Sequence, residues 1–290
     1  MEYSKDYEIM KMIKIDNCYI RFIDTYGAKG NKSDDKSILL LHGLGGSLER
    51  WSKVIPFFSN NYRLIIPDIV GFGYSDKPHV EYSIEFFIKF IENFIQALNI
   101  DNLYVIGSSF GGLLALEFAI KFPNKVNKLV LLSPAGMMNR VTPTLNLYIS
   151  AALYPTFYNV ATAYYEMVYD PRSVTEASIR DFINRMSLNN AKYAFMSTLI
   201  SLKNNPDLKD RLKINIPTLL IWGKDDQLMP LKYAKDFKIP NSKLVIFNNC
   251  GHYPHVEKVE EFNKTVFQFL NNDLYNINEK GSKTFMINES

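Results

Sequence analysis

Short apolar runs that stop at Gly, Pro or Asp alternate along this chain with longer segments of helical period, a pattern that predicts βα units around a mostly parallel sheet. The expected strands are Tyr19–Ile23, Ile38–Leu41, Leu64–Ile66, Leu103–Ile106, Lys128–Leu132, Thr218–Trp222 and Leu244–Phe247. Two runs between Lys11 and Ile23 flank Asp16-Asn17 and read as an opening hairpin. Phe87, Phe90, Ile91, Phe94, Ile95 and Leu98 recur at i, i+3, i+4, i+7 and give a helix one apolar face. A second helix is expected from Phe110 to about Phe122.

The alternation stops at Pro134 and resumes at Ile216-Pro217. The stretch between them, Met137 to Lys213, is rich in Tyr and Met and lacks buried-strand runs, so it reads as a helical insertion over one end of the sheet. The expected organisation is an α/β core in two parts, residues 1–136 and 214–270, with the cap at 137–213 between them. A polar, Asn-rich tail at 271–290 shows no periodicity and is expected to pack loosely.

Composition narrows the partners. A chain of 290 residues with 47% hydrophobic side chains can bury a large core. Its formal charge is only +3, and the charges are scattered rather than gathered into the basic stripe that nucleic acid requires. Cys18 and Cys250 are too few for a disulfide framework or a structural zinc site. The N-terminal residues lack the charge and apolar pattern of a secretion signal, and no apolar run reaches the roughly 18 residues of a membrane span. The expectation is a cytoplasmic protein without stable membrane insertion, acting on a small molecule and open to homodimerisation.

The strongest chemical signal is Gly107-Ser108-Ser109-Phe110-Gly111, in which a strand runs into a helix through Gly-x-Ser-x-Gly. Small residues two before and two after the serine are a steric need of so tight a turn, and this spacing selects Ser109 as nucleophile over Ser108. A serine hydroxyl needs a base. Of the four histidines, His252 follows Gly251 just past the last strand and is the candidate, whereas His255 falls at the start of a following helix and is assigned a structural role. A carboxylate must orient that imidazole, and Asp225 and Asp226 both follow the penultimate strand. Either can instead cap the helix expected near Pro230. The developing oxyanion needs N–H donors: Phe110, first in the helix after Ser109, and Leu44 in the loop His42-Gly43-Leu44-Gly45-Gly46.

With these pieces in place the sequence resembles the α/β-hydrolase family over nearly its whole length. The quoted parts occur in that family's order: the His42-Gly43 loop, Asp68-Ile69-Val70-Gly71-Phe72-Gly73-Tyr74-Ser75-Asp76, the Ser109 turn, Trp222-Gly223-Lys224-Asp225-Asp226 and Gly251-His252. The resemblance implies that the acid stands four residues after Trp222, at Asp226, that the insertion is a helical cap, and that a Ser-His-Asp triad works without a cofactor or metal. Gly-x-Gly-x-x-Gly, a P-loop and His-Glu-x-x-His are absent from the sequence.

The primary expectation is therefore hydrolysis of small to medium apolar carboxylic esters, lactones included, through an acyl-enzyme on Ser109. The alternative is a carbon-carbon bond hydrolase for vinylogous diketones from aromatic ring cleavage, which shares fold, triad and cap. Such enzymes carry a more glycine-rich oxyanion loop and a Trp after the base, from which Leu44 and Tyr253 depart; a cap arginine for the substrate carboxylate, Arg180 or Arg185, would favour it. Thioesterase, perhydrolase and acyltransferase chemistry stay open, as does a noncatalytic ligand-binding role on the same scaffold.

Overall fold

The computed structural model describes residues 10–26, 37–204, 208–271 and 282–286. An antiparallel hairpin opens the chain, β1 (Met10–Ile15) against β2 (Cys18–Asp24), turning through Asp16 and Asn17. Both turn residues have positive φ, 46° and 68°, which Asp and Asn tolerate and which matches the twist of the flanking strands. The strands that follow are β3 (Ser37–Leu41), β4 (Arg63–Pro67), β5 (Leu103–Ser108), β6 (Val126–Leu132), β7 (Thr218–Gly223), β8 (Ser242–Phe247) and β9 (Ser282–Met286). Their order in the sheet is β1-β2-β4-β3-β5-β6-β7-β8-β9, parallel from β4 to β8 and antiparallel at both edges.

Each expected strand is present, extended by a residue or two at one or both ends. The tail is a correction: residues 282–286 pair with β8 as an edge strand. That segment carries too few apolar residues for periodicity to reveal it, because an edge strand is held by main-chain bonds.

Helices cover both faces. They are α1 (Ile55–Phe58), α2 (Ile84–Ala97), α3 (Phe110–Lys121), α4 (Pro143–Leu153), α5 (Phe157–Met167), α6 (Glu176–Met186), α7 (Ala191–Asn204), α8 (Pro254–Glu257) and α9 (Val259–Leu270). Strand alternation divides the core in two. Leu39, Leu41, Val105, Leu129, Leu131, Leu220 and Trp222 face the layer of α2 and α3. Ile38, Leu40, Ile106, Val130, Leu132, Leu219 and Ile221 face Trp51, Phe58 and the apolar side of α9, Phe262, Val266 and Phe269. Helix α2 begins at Ser83, whose hydroxyl accepts from the Phe86 N–H, and buries Phe87, Phe90, Ile91, Phe94 and Ile95.

Helices α4 to α7 all fall between β6 and β7, where the sequence predicts a helical cap. Thr142, Thr156 and Thr175 cap the first three, each accepting from a main-chain N–H three residues on. The short helix expected near Pro230 is a 3-10 turn, Leu231–Asp236. The chain returns to the core through Arg211, whose guanidinium makes a two-pronged ion pair with buried Glu117 of α3 at 2.6 and 2.7 Å.

Candidate active site

Strand β5 ends at Ser108, helix α3 starts at Phe110, and Ser109 between them has φ 55° and ψ −115°. This backbone is strained for a residue with a side chain. It is held by the Ser109 N–H donating to the Leu132 carbonyl at 2.8 Å and by the Ser109 carbonyl accepting from Ala135 at 3.0 Å. The glycines on either side are obligatory. A Cβ at Gly107 would stand 2.2 Å from the Gly111 carbonyl oxygen, and one at Gly111 would stand 2.3 Å from that of Leu41. Ser109 is half-buried and its Oγ forms no hydrogen bond among the described residues, so the hydroxyl is available; catalytic contacts of this kind tighten when substrate arrives.

The loop after β3 runs beside this serine. A Cβ on Gly43 would lie 3.4 Å from the Ser109 Cβ and 3.9 Å from its Oγ. The loop is shaped by the Gly46 N–H donating to the Gly43 carbonyl and by Gly45 at φ 63°. His42 is its anchor: the ring is fully buried, Nδ1–H donates to the Gly43 carbonyl at 2.8 Å and Nε2 accepts from the Ile69 N–H at 3.0 Å. Burial pushes its pKa down to about 3, so it stays neutral and structural. The Leu44 N–H takes no part in the loop's bonds, and the first-turn amides of α3, beginning with Phe110, have no acceptor inside the helix. Both amides, of Leu44 and Phe110, are therefore free of main-chain acceptors among the described residues.

Acid and base meet directly. His252 Nδ1–H donates to Asp226 Oδ2 at 2.8 Å, with both side chains buried. The other oxygen, Oδ1, accepts from the Leu228 and Met229 N–H groups at 2.9 and 2.8 Å. Asp226 therefore holds the imidazole and organises the turn after β7 at the same time. Asp225 points elsewhere and accepts from the Cys250 N–H. The His252 main chain is tied to the cap, its N–H donating to the Met167 carbonyl at 2.7 Å. His255, in α8, is buried against Trp51 at 4.5 Å between ring centroids, and neither of its nitrogens has a hydrogen bond. Burial pushes its pKa down to about 3, as a packing histidine requires.

The two cap arginines part company. Arg180 is largely exposed and pairs with Glu176 on the helix surface. Arg185 is buried, donates from Nη1 to the Gly45 carbonyl, and pairs through Nε with Asp181 at 2.9 Å. Residues that sequence reasoning passed over complete the site. The Tyr148 hydroxyl donates to the Leu44 carbonyl at 2.6 Å. Arg50, in the 3-10 turn Leu48–Trp51, lies over the rings of Tyr164 and Tyr253, 4.8 Å from each centroid. In the sequence Arg50 is marked only as the second of two adjacent charges, Glu49-Arg50, four residues past the glycine loop.

Among the described residues, no cluster of three or more His, Cys, Asp or Glu is arranged to hold a metal, and no helix is long and apolar enough to cross a membrane.

Comparison with known proteins adds a direction. A family model described as alpha/beta hydrolase fold matches residues 36–163 and 159–259. A 2-hydroxy-6-oxo-2,4-heptadienoate hydrolase of Pseudomonas putida is 30% identical over 252 residues, 80% of this chain and 88% of that protein. A 2-hydroxy-6-oxononadienedioate/2-hydroxy-6-oxononatrienedioate hydrolase of Burkholderia vietnamiensis is 31% identical over 251 residues, 81% and 87% of the two chains. The crystal structure of a meta-cleavage product hydrolase from Pseudomonas fluorescens superposes with a TM-score of 0.81 at 28% identity, covering 92% of this chain and 99% of that one. These names overturn the ester-hydrolase expectation, since they belong to hydrolases of ring-cleavage diketones. The physical reason is that the serine turn, triad and oxyanion donors serve both reactions, and nothing in those motifs encodes the atom that leaves.

Proposed function

The chain belongs to the α/β-hydrolase family and is a hydrolase on that fold, and from this premise we propose that it cleaves a carbon-carbon bond in a 2-hydroxy-6-oxo-dienoate, a vinylogous diketone of the kind formed when an aromatic ring is opened. The observation that carries this reading is its 30% identity to a hydrolase of such a compound over four-fifths of the chain.

The chemistry follows from what a carbon leaving group demands. A carbanion departs only if its charge is delocalised, so the dienol must first become the ketone at C2, with a proton gained at C5. Cleavage of C5–C6 then returns the electron pair to C5, conjugated through C4 and C3 to the C2 carbonyl. In this reading Ser109 Oγ adds to the C6 carbonyl while His252 takes its proton, with Asp226 fixing the tautomer and stabilising the imidazolium. The Leu44 and Phe110 amides hold the oxyanion. As C5–C6 breaks, the acyl group stays on Ser109 and the dienolate leaves. Water, deprotonated by His252, releases the acid, so one diketone and one water give a 2-hydroxydienoate and a carboxylate. The experiment is to supply 2-hydroxy-6-oxo-2,4-heptadienoate and identify 2-hydroxypenta-2,4-dienoate and acetate in equal amounts.

A further inference from the structure

Asp226 is bonded to His252, Arg185 pairs with Asp181, and Arg180 pairs with Glu176 on the helix surface. Arg50 differs. Among the described residues its guanidinium has no ion pair or hydrogen bond, only the rings of Tyr164 and Tyr253, each 4.8 Å away at its centroid. Burial desolvates it, yet the side chain keeps some accessible surface. A desolvated cation without an acceptor is costly, and ring faces recover only part of that cost. A second unpartnered donor adjoins it: the hydroxyl of Tyr164, the residue whose ring carries the guanidinium, is buried without a hydrogen bond. Both donors lack the same thing, an oxygen acceptor. The place is close to the chemistry, because Tyr253 follows the base and its ring stands 5.1 Å from that of His252.

We propose that Arg50, and not a cap arginine, receives the carboxylate of the substrate, with the Tyr164 hydroxyl as its second donor. The identity of that acid as the dienoate half of a ring-cleavage diketone rests on the function proposed above; the anion site itself does not. Ring faces take up none of the guanidinium N–H donors, so these stay available for a two-pronged contact with a carboxylate, which an ammonium cannot reproduce. Arg185 then has a different task, to fix the Gly45 carbonyl and with it the glycine loop. Tyr253 in place of a Trp after the base belongs to this arrangement as one of the two rings beside the guanidinium.

The test measures binding of 6-oxoheptanoate and of its neutral amide to Ser109→Ala protein by calorimetry, alone and with Arg50→Met, Arg50→Lys or Arg185→Met added. The expected result is a preference for the acid of about 10- to 100-fold, from charge-assisted hydrogen bonds in a desolvated site. Arg50→Met abolishes that preference without changing amide binding, and Arg50→Lys restores part of it. An Arg50 that only joins cap to core would instead move acid and amide together. Should Arg50→Met fail to fold, Tyr164→Phe serves, with a several-fold loss for the acid alone. Three results overturn the proposal: no preference for the acid, a preference that survives Arg50→Met, or one lost only with Arg185→Met. Turnover of the dienone by the wild-type chain is read separately, so a failed reaction assignment shows as absent cleavage with the acid preference intact.

Discussion

The hydroxyl of Tyr148, on the second turn of a cap helix, donates to the carbonyl of Leu44 at 2.6 Å. One residue further, Arg185 of another cap helix donates to the carbonyl of Gly45. The cap thus holds two carbonyls of the loop that runs beside the nucleophile, and amides proposed to bind the oxyanion are worth most when they need not move during reaction. Tyr148→Phe should therefore lower kcat by about fivefold, the cost of one loosened contact of about 1 kcal/mol, with KM nearly unchanged. Equal loss in both parameters, or none in either, would show that the contact serves only packing.

Asp226 offers two oxygens to two tasks. Asp226→Asn can keep the acceptor toward Leu228 and Met229 while presenting an amide N–H to His252, which forces the wrong tautomer. Turnover should fall by roughly 10³- to 10⁴-fold with little change in the thermal midpoint. Asp225→Asn, at a carboxylate whose one hydrogen bond among the described residues comes from the Cys250 N–H, should leave turnover within a factor of about three.

At Gly111 an added methyl would meet the main-chain carbonyl of Leu41 at 2.3 Å, where no side chain can yield. Gly111→Ala should cost about 3 kcal/mol or more, by denaturant titration. A cost below about 1 kcal/mol would mean the turn between β5 and α3 is not as tight as described.

Two buried histidines set an acid limit. His42 and His255 are held near pKa 3 by burial, against 6.5 when unfolded. The unfolded state binds more protons between those values, so the stability these groups lend is present above pH 6.5 and is lost as pH falls toward 3. Each adds up to about 1.4 kcal/mol per pH unit to the slope in that window. His255 makes no hydrogen bond, so His255→Phe should flatten the slope while keeping the fold at pH 7; an unchanged slope would count against a buried neutral ring.

Much of this was legible in the sequence because periodicity and steric need are local. The seven inner strands, the hairpin at Asp16-Asn17 and the strained Ser109 each follow from a few adjacent residues. His252 and the pair Asp225-Asp226 could be placed because each follows a strand that ends at the same edge of the sheet, and the family resemblance pointed to Asp226 within the pair. Arg50, Tyr148 and Tyr164 could not, since their roles depend on cap and core meeting across 104 or more residues; β9 could not, since main-chain pairing leaves little trace in side chains. The leaving group was the deeper failure. Oxygen and carbon leaving groups ask the same of Ser109, and the difference lies in binding the rest of the substrate.

The direct test is cleavage of 2-hydroxy-6-oxo-2,4-heptadienoate, followed by loss of the dienone chromophore and by product analysis, for the wild-type chain and Ser109→Ala. The account predicts equimolar 2-hydroxypenta-2,4-dienoate and acetate from the wild type, and a rate lower by at least about 10³-fold in the variant. An intact dienone after prolonged incubation with folded wild-type protein, or equal rates in the two proteins, would contradict it.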